Sequence, residues 1–335
     1  MGDRLIITNG DDAAARMSEA RIAGEILPWR DILHEGPVPA ALPLEELSAV
    51  RANFLAQRGW LSGEELHAAF RSRDGMIRRH ADFETIVLWF EHDLYDQLQL
   101  IQVLDFFASE NRRKGVYIIQ AGKYLGLETP KALKTHFHLM EPASDAHLAL
   151  GRLAWNGFRA PSPEGWAALL RLSTHILPFL RLAVLRLLEE LPNHISGLSR
   201  TEWTILSLIG NGVKRPMDLY PAFMEAEEVL FMGDLSFFHA LDVLGAGGSP
   251  LIAGFKGLTF SPSMPEDERD AYLARELSFT HLGYSVLSGH ADATQHRHMS
   301  REIGGFHLNA RSPWRWNPAG RQLLAHGELN SKLGE

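Results

Sequence analysis

The chain of 335 residues contains no cysteine. That absence excludes disulfides, thiolate zinc sites, iron–sulfur clusters and cysteine nucleophiles. Long apolar runs are missing too. The longest, around residues 176–188, is broken by Pro178, Arg181 and Arg186 and falls short of a membrane span. The opening MGDRLIITNG lacks a basic segment followed by an apolar core and a cleavage site. No signal peptide and a cytoplasmic setting are therefore expected. Positive charge is also scarce, with 33 Lys and Arg against 41 Asp and Glu and a formal net charge of -8. A broad electrostatic footprint for nucleic acid is disfavoured, which leaves only a local basic face for DNA. There is no GxxxxGK[ST] and no GxSxG, so a P-loop and an esterase-type nucleophile elbow have no support.

What is present is ordinary for a globular protein: 45% hydrophobic and 22% charged residues. At this length two or three domains are expected. Residues 4–8 (RLIIT), 25–29, 85–90 (TIVLWF) and 115–120 (GVYIIQ) read as strands. Helical patterns cover 13–20, 44–58, 62–80 and 95–109. Alternation of strand and helix is the mark of parallel βαβ units. Asp11 or Asp12 is expected to cap the first helix. Further on, 144–159 and 163–191 read as helical, and Ser199 with Glu202 forms a capping signature for 199–210. Helices near 216–223 and 234–244, then a hairpin from 250–253 and 257–261, follow the order of a winged helix-turn-helix. The expected fold is thus an α/β domain over 1–142 with a Rossmann-like three-layer parallel sheet. A helical connector over 143–195 and a mostly helical, winged-helix-like domain over 196–335 complete it.

In an open parallel sheet, ligands bind beyond the carboxyl ends of the strands. Three of these strand ends are unusually polar. The first carries Asn9, Gly10, Asp11 and Asp12; the second Arg30, Asp31, His34 and Glu35; the third Glu91, His92, Asp93, Asp96 and Gln97. Carboxylates with histidines suit a divalent cation or general acid–base work. Asp11, Glu91 and Asp93 are the candidate metal ligands. Asp11, Asp31, Glu35, Glu91 and Asp93 are candidates for base or ligand, His34 and His92 for proton donor, and Arg30 for steadying negative charge. Asn9, Gly10, Trp29, Asp96 and Gln97 are candidates for holding a small-molecule ligand. Each carboxylate alone has a plainer reading as a helix cap or an ion-pair partner.

Two other constellations weigh less. The tract GHADATQHRH carries His290, Asp292, His296 and His298, but the spacing fits no established zinc motif and a solvated loop is expected. Trp314-Arg315-Trp316 is expected to seal an interface rather than stack on a base. The helix over 234–244 offers Ser236, His239 and Asp242 and no Lys or Arg, so contact with protein is favoured over reading DNA.

The strings LIITNGDDAA, GEILPWRDILHEGPVP and IVLWFEHDLYDQLQLIQVLDFF resemble the N-terminal module of the bacterial family catalogued as domain of unknown function 1835. GLSRTEWTILSLI, FMGDLSFFHAL, IGGFHLN and WRWNP resemble the region that accompanies that module. The resemblance implies no particular reaction. It does mark Asn9, Gly10, Asp11, Trp29, Arg30, Asp31, His34, Glu35, Gly36, Glu91, His92, Asp93, Asp96 and Gln97 as motif positions. Asp12 departs from the small hydroxyl residue expected there, which weighs against a phosphate on that turn. The leading expectation is a metal-dependent hydrolase acting on a phosphate-bearing or nucleotide-like ligand. The alternative is a ligand-sensing regulatory or adaptor protein whose winged-helix-like part binds DNA or a protein. Self-association is compatible with either, and no membrane partner is expected.

Overall fold

The computed structural model describes residues 3–309 and 311–325. Two compact units divide the chain: Met1–Val184 with Glu302–Phe306, and Leu185–Arg301 with His307–Glu335. Among the described residues, no helix is long and apolar enough to cross a membrane.

The first unit runs β1 (Arg4–Thr8), α1 (Asp11–Glu19), β2 (Glu25–Pro28), β3 (Gly36–Pro37), α2 (Leu44–Gln57), α3 (Gly63–Arg78) and β4 (Thr85–Phe90). It continues with α4 (Leu94–Ser109), β5 (Val116–Gln120), α5 (Pro130–Phe137), β6 (Glu141–Pro142), α6 (Asp145–Phe158) and α7 (Glu164–Ala168). The division falls inside α8 (Leu180–Leu188). The five-stranded sheet has the order β2-β1-β4-β5-β6. Its first four strands are parallel and β6 closes the edge antiparallel. This mixed α/β architecture with a mostly parallel sheet agrees with the strand–helix alternation read from the sequence.

The strands are apolar on both faces because both are covered. Ile6, Val87, Trp89 and Ile119 pack with Ala13 and Met17 of α1 and Leu133 of α5. Residues of the other parity, Leu5, Ile7, Ile86, Leu88 and Phe90, are also fully buried. Ser62 and Glu65 form a capping box at α3, and Ser144 with His147 forms one at α6. Three expectations are corrected. At α1 the N-cap is Gly10, with no side-chain cap, and Asp11 and Asp12 sit in the first turn. The helix expected over 163–191 breaks where Leu172 turns extended after the 3-10 turn at Leu169–Arg171, and resumes at Leu180, just past Pro178, a residue tolerated only in a helix's first turn.

The third correction concerns the second unit, built on α9 (Arg200–Gly210), α10 (Pro216–Ala226) and α11 (Asp234–Gly245). Here β7 (Ile252–Ala253) pairs antiparallel with β8 (Ser278–Phe279), not with 257–261. Gly254, with φ +123°, turns the chain away, and an added Cβ there would strike the Glu276 carbonyl. Segment 257–261 instead sends the Phe260 N–H to Asp242 Oδ2 at 2.7 Å. Tyr272 donates to the other Asp242 oxygen at 2.8 Å. Asp242 and Ser236 are therefore buried within the unit rather than displayed on a recognition surface. The tract with His290, His296 and His298 is exposed, and Asp292 caps the short helix Ala293–His296. Arg315 is buried against Thr294 Oγ1 at 2.8 Å.

A buried charge cluster ties this unit together. Arg186 bonds Glu190 at 2.7 Å and Glu227 at 2.7 Å, and Arg301 reaches Glu190 at 3.3 Å. Burial alone would push Glu190 up, but the charges of Arg186 and Arg301 overturn that and hold it at about 2. Removing one member of such a cluster strands its partners without compensation. Glu190→Leu is therefore expected to lower the unfolding free energy by roughly 3 kcal/mol, measured from denaturant midpoints. The depressed acid contributes stability above its ordinary value of 4.5, lost as pH falls toward 2, and this acid-side loss shrinks in the variant. A change within about 0.5 kcal/mol would show that the cluster does not hold the unit together.

Candidate functional site

The sheet order sets the geometry of the site. From β1 the chain moves first to β2 on one side and later to β4 on the other, so the order reverses between β1 and β4. The register puts Thr8 opposite Trp89, leaving Asn9 beside the exit of β4. At such a reversal the loops part, and a crevice opens beyond the strand ends.

Side chains from both loops meet there. Glu91, Asp93 and Asp96 are all buried, and one oxygen from each lies within 4.8 Å of the others. Asp93 caps α4 by accepting from the Asp96 N–H at 3.0 Å. The Glu91 N–H donates to Asp96 Oδ1 at 2.6 Å, and the Asn9 amide donates to Asp96 Oδ2 at 2.7 Å. The Leu125 N–H, from the loop after β5, donates to Glu91 Oε1 at 2.6 Å. Gln97 donates to the Glu91 carbonyl at 2.7 Å. The nearby cations are committed elsewhere: Arg30 to Asp11 in an exposed pair at 2.6 Å, and Arg51 to Asp31 in a buried one at 2.9 Å.

Among the described residues no cation pairs with these three buried carboxyls, which therefore resist ionising together. Burial, then the charge of Asp93, pushes Glu91 up to about 7. Burial pushes Asp93 up to about 7, against the backbone N–H groups that favour its charge. Asp96 is raised well above the carboxylate range by burial and by its two neighbours. Asp11 moves the opposite way, lowered by its hydrogen bond from Arg30. Burial lowers His92, offset by a backbone hydrogen bond at Ala121.

The remaining residues of the second strand end take other places. Trp29 is fully buried, with its indole N–H on Gln102 Oε1 at 2.8 Å and Arg73 stacked 4.1 Å from the ring centre. The carboxylate of Asp31 lies on Arg51, and its carbonyl accepts from Gln99 at 2.9 Å. Arg51, fully buried, also donates to the carbonyls of Ile32 at 2.7 Å and Glu35 at 2.8 Å. Gly36 turns the chain at φ +79°, where a Cβ would collide with Phe54. Glu35 faces Arg58 at 3.3 Å. His34 is buried, its ring centre 6.4 Å from that of Tyr95.

Asp11 thus stands apart from Glu91 and Asp93, and Asp96 takes the third place beside them. Trp29, Asp31 and Glu35 are engaged in holding their own loop. Arg51, Gln99, Gln102, Tyr124 and Leu125 were not singled out from the sequence. The three glutamines of α4 did leave a signal there, as polar residues in an otherwise apolar helix that must find buried partners. No protein-family model and no curated protein matches the chain.

The raised acids have a signed consequence for stability. A carboxyl whose folded value lies above its unfolded one contributes stability that is lost as pH rises between the two. With chelator present, the melting temperature is expected to fall as pH climbs from the ordinary 3.8 to 4.5 range through about 7. Glu91→Gln should flatten that slope and raise stability at neutral pH. A wild-type profile flat across this window would mean that the three groups ionise without cost.

Proposed function

We propose that the first unit is the catalytic part of a metal-dependent hydrolase acting on a phosphate-bearing or nucleotide-like ligand, with Glu91, Asp93 and Asp96 as the cation ligands. The observation that carries this reading is the buried carboxyl trio, within 4.8 Å and unneutralised, at the reversal point of a parallel sheet. The donor set is all oxygen, which suits magnesium, manganese or calcium rather than a soft metal. A bound divalent cation would neutralise the trio, polarise a phosphoryl oxygen and ease deprotonation of water. The order β2-β1-β4-β5 supports a Rossmann-like description of the sheet, whose ligands lie where this trio is found.

The chain's own residues divide the remaining work. Asn9 orients Asp96 and also hydrogen-bonds Glu91, one of whose oxygens the Leu125 N–H fixes. Arg30, half exposed and held by Asp11, is placed to exchange that partner for a substrate anion. His92 stays uncharged near neutral pH because burial lowers it, which suits a proton acceptor. The adaptor reading gains no comparable support: of Ser236, His239 and Asp242 on α11 only His239 is exposed, while the other two are buried.

Cation binding and turnover test the proposal together. Magnesium or manganese at a hundred times its dissociation constant is expected to stabilise the wild type by about 2.7 kcal/mol. Asp96→Asn should abolish the effect, and Asn9→Ala should weaken cation affinity roughly 10–100-fold. Hydrolysis of a nucleotide and phosphate-ester panel should stop with chelator and return with the metal. A protein unmoved by every divalent cation, or one whose hydrolysis ignores chelator, would overturn the reading.

A further inference from the structure

Next to the carboxyl trio His92 stands in a group of rings, and its two companions, Tyr124 and Phe179, have no part in the proposed chemistry. His92 follows Glu91 directly. Its ring centre lies 5.0 Å from Tyr124 and 5.8 Å from Phe179. All three residues are only partly buried. They come from three separate segments: the exit of β4, the loop after β5, and the approach to α8. Tyr124 precedes Leu125, whose N–H grips Glu91, so ring wall and carboxyl cluster share two adjacent pairs of residues. Gly122 in the same loop adjoins Phe179, a would-be Cβ there lying in ordinary contact with the ring at 3.6 Å.

Among the described residues, the polar groups around the rings are not fully used. His92 Nδ1 is buried without a hydrogen-bond partner. Gln120, the last residue of β5, donates to the Ile176 carbonyl at 2.9 Å, but its Oε1 is buried and bare. Buried polar atoms normally find partners, so these two are available to the polar edge of a ligand. A half-exposed aromatic face backed by spare hydrogen-bonding groups suits a flat heterocycle with a polar edge.

We infer that His92, Tyr124 and Phe179 form the seat of a nucleobase, so that the ligand of this site is a nucleotide rather than a plain phosphate ester. The inference rests on the hydrolase reading for the position of the phosphate, but not for the stacking itself. The base lies against the rings while the phosphate end is directed to the carboxyl trio and Arg30. Base–aromatic stacking discriminates little among bases, so purine and pyrimidine nucleotides share the seat.

Calorimetric titration with manganese present compares nucleoside 5′-monophosphates with ribose 5-phosphate, and adenosine is titrated separately without metal. Wild type is expected to bind the nucleotides at least about tenfold more tightly than ribose 5-phosphate, the size of one stacking contact. Tyr124→Ala and Phe179→Leu should each remove about tenfold of nucleotide affinity and leave ribose 5-phosphate unchanged. Tyr124→Phe should retain it. Unaltered melting temperature and manganese affinity in these variants show that the fold and the cation site persist. If manganese does not bind but adenosine does, and Tyr124→Ala abolishes that binding, the hydrolase reading fails while the base seat stands. Equal affinity for nucleotide and ribose 5-phosphate, or no binding of nucleotide or adenosine, would overturn the seat. So would variants that weaken both phosphates alike.

Discussion

Placing three carboxyl groups side by side out of water is the constraint on which the first unit turns. Each charge loses its hydration, and each repels the other two. Nothing in a parallel sheet demands this, because the end of β4 needs only one cap for α4, and Asp93 supplies it. Glu91 and Asp96 are additional, and the surroundings are arranged to hold them in place. The Asn9 amide, the Glu91 N–H and the Leu125 N–H all donate into the cluster. These donors come from the ends of three neighbouring strands. A cost of this kind, met from three loops at once, is what a site for a divalent cation requires.

The second strand end contributes in a different way. Its residues look chemical in the sequence and act mainly as construction in the structure. Arg51 draws the carboxylate of Asp31 and the carbonyls of Ile32 and Glu35 into one fan of hydrogen bonds. From the other side, Gln99 and Gln102 of α4 hold the Asp31 carbonyl and the Trp29 indole. The loop is thereby attached to the same helix that carries Asp96. His34 and Tyr95 meet where loop and helix adjoin. This fan of hydrogen bonds gives the carboxyl cluster a rigid support, and rigid support is what a precise binding site needs.

Much of this was legible in the sequence, and the limits were physical. Strands β1, β4 and β5 stood out because burial on both faces leaves an unbroken apolar run, as in TIVLWF. Parallel pairing then implied that polar residues after those strands would share one edge of the sheet. Partner choice within the edge was not legible. Asp11 pairs with Arg30 and not with Glu91 because it lies one residue into α1, with its side chain exposed. Asp96 was expected to hold a small-molecule ligand and not a cation, yet α4 is buried on nearly every side, so its first turn faces inward and sets Asp96 beside Glu91 and Asp93. The hairpin expected over 257–261 failed for a similar reason. A buried Asp242 on a distant helix claimed the backbone N–H that a strand ladder would have used. Long-range partners of this sort leave no periodicity behind them.

The most direct test of the account is to locate the cation. Crystals grown with manganese would be measured near the manganese absorption edge, and the anomalous map inspected at the strand ends. The account predicts a single strong peak bounded by the carboxylates of Glu91, Asp93 and Asp96, absent from the Asp96→Asn protein. A featureless crevice with the anomalous signal at His290, His296 and His298, or with no signal at all, would contradict it.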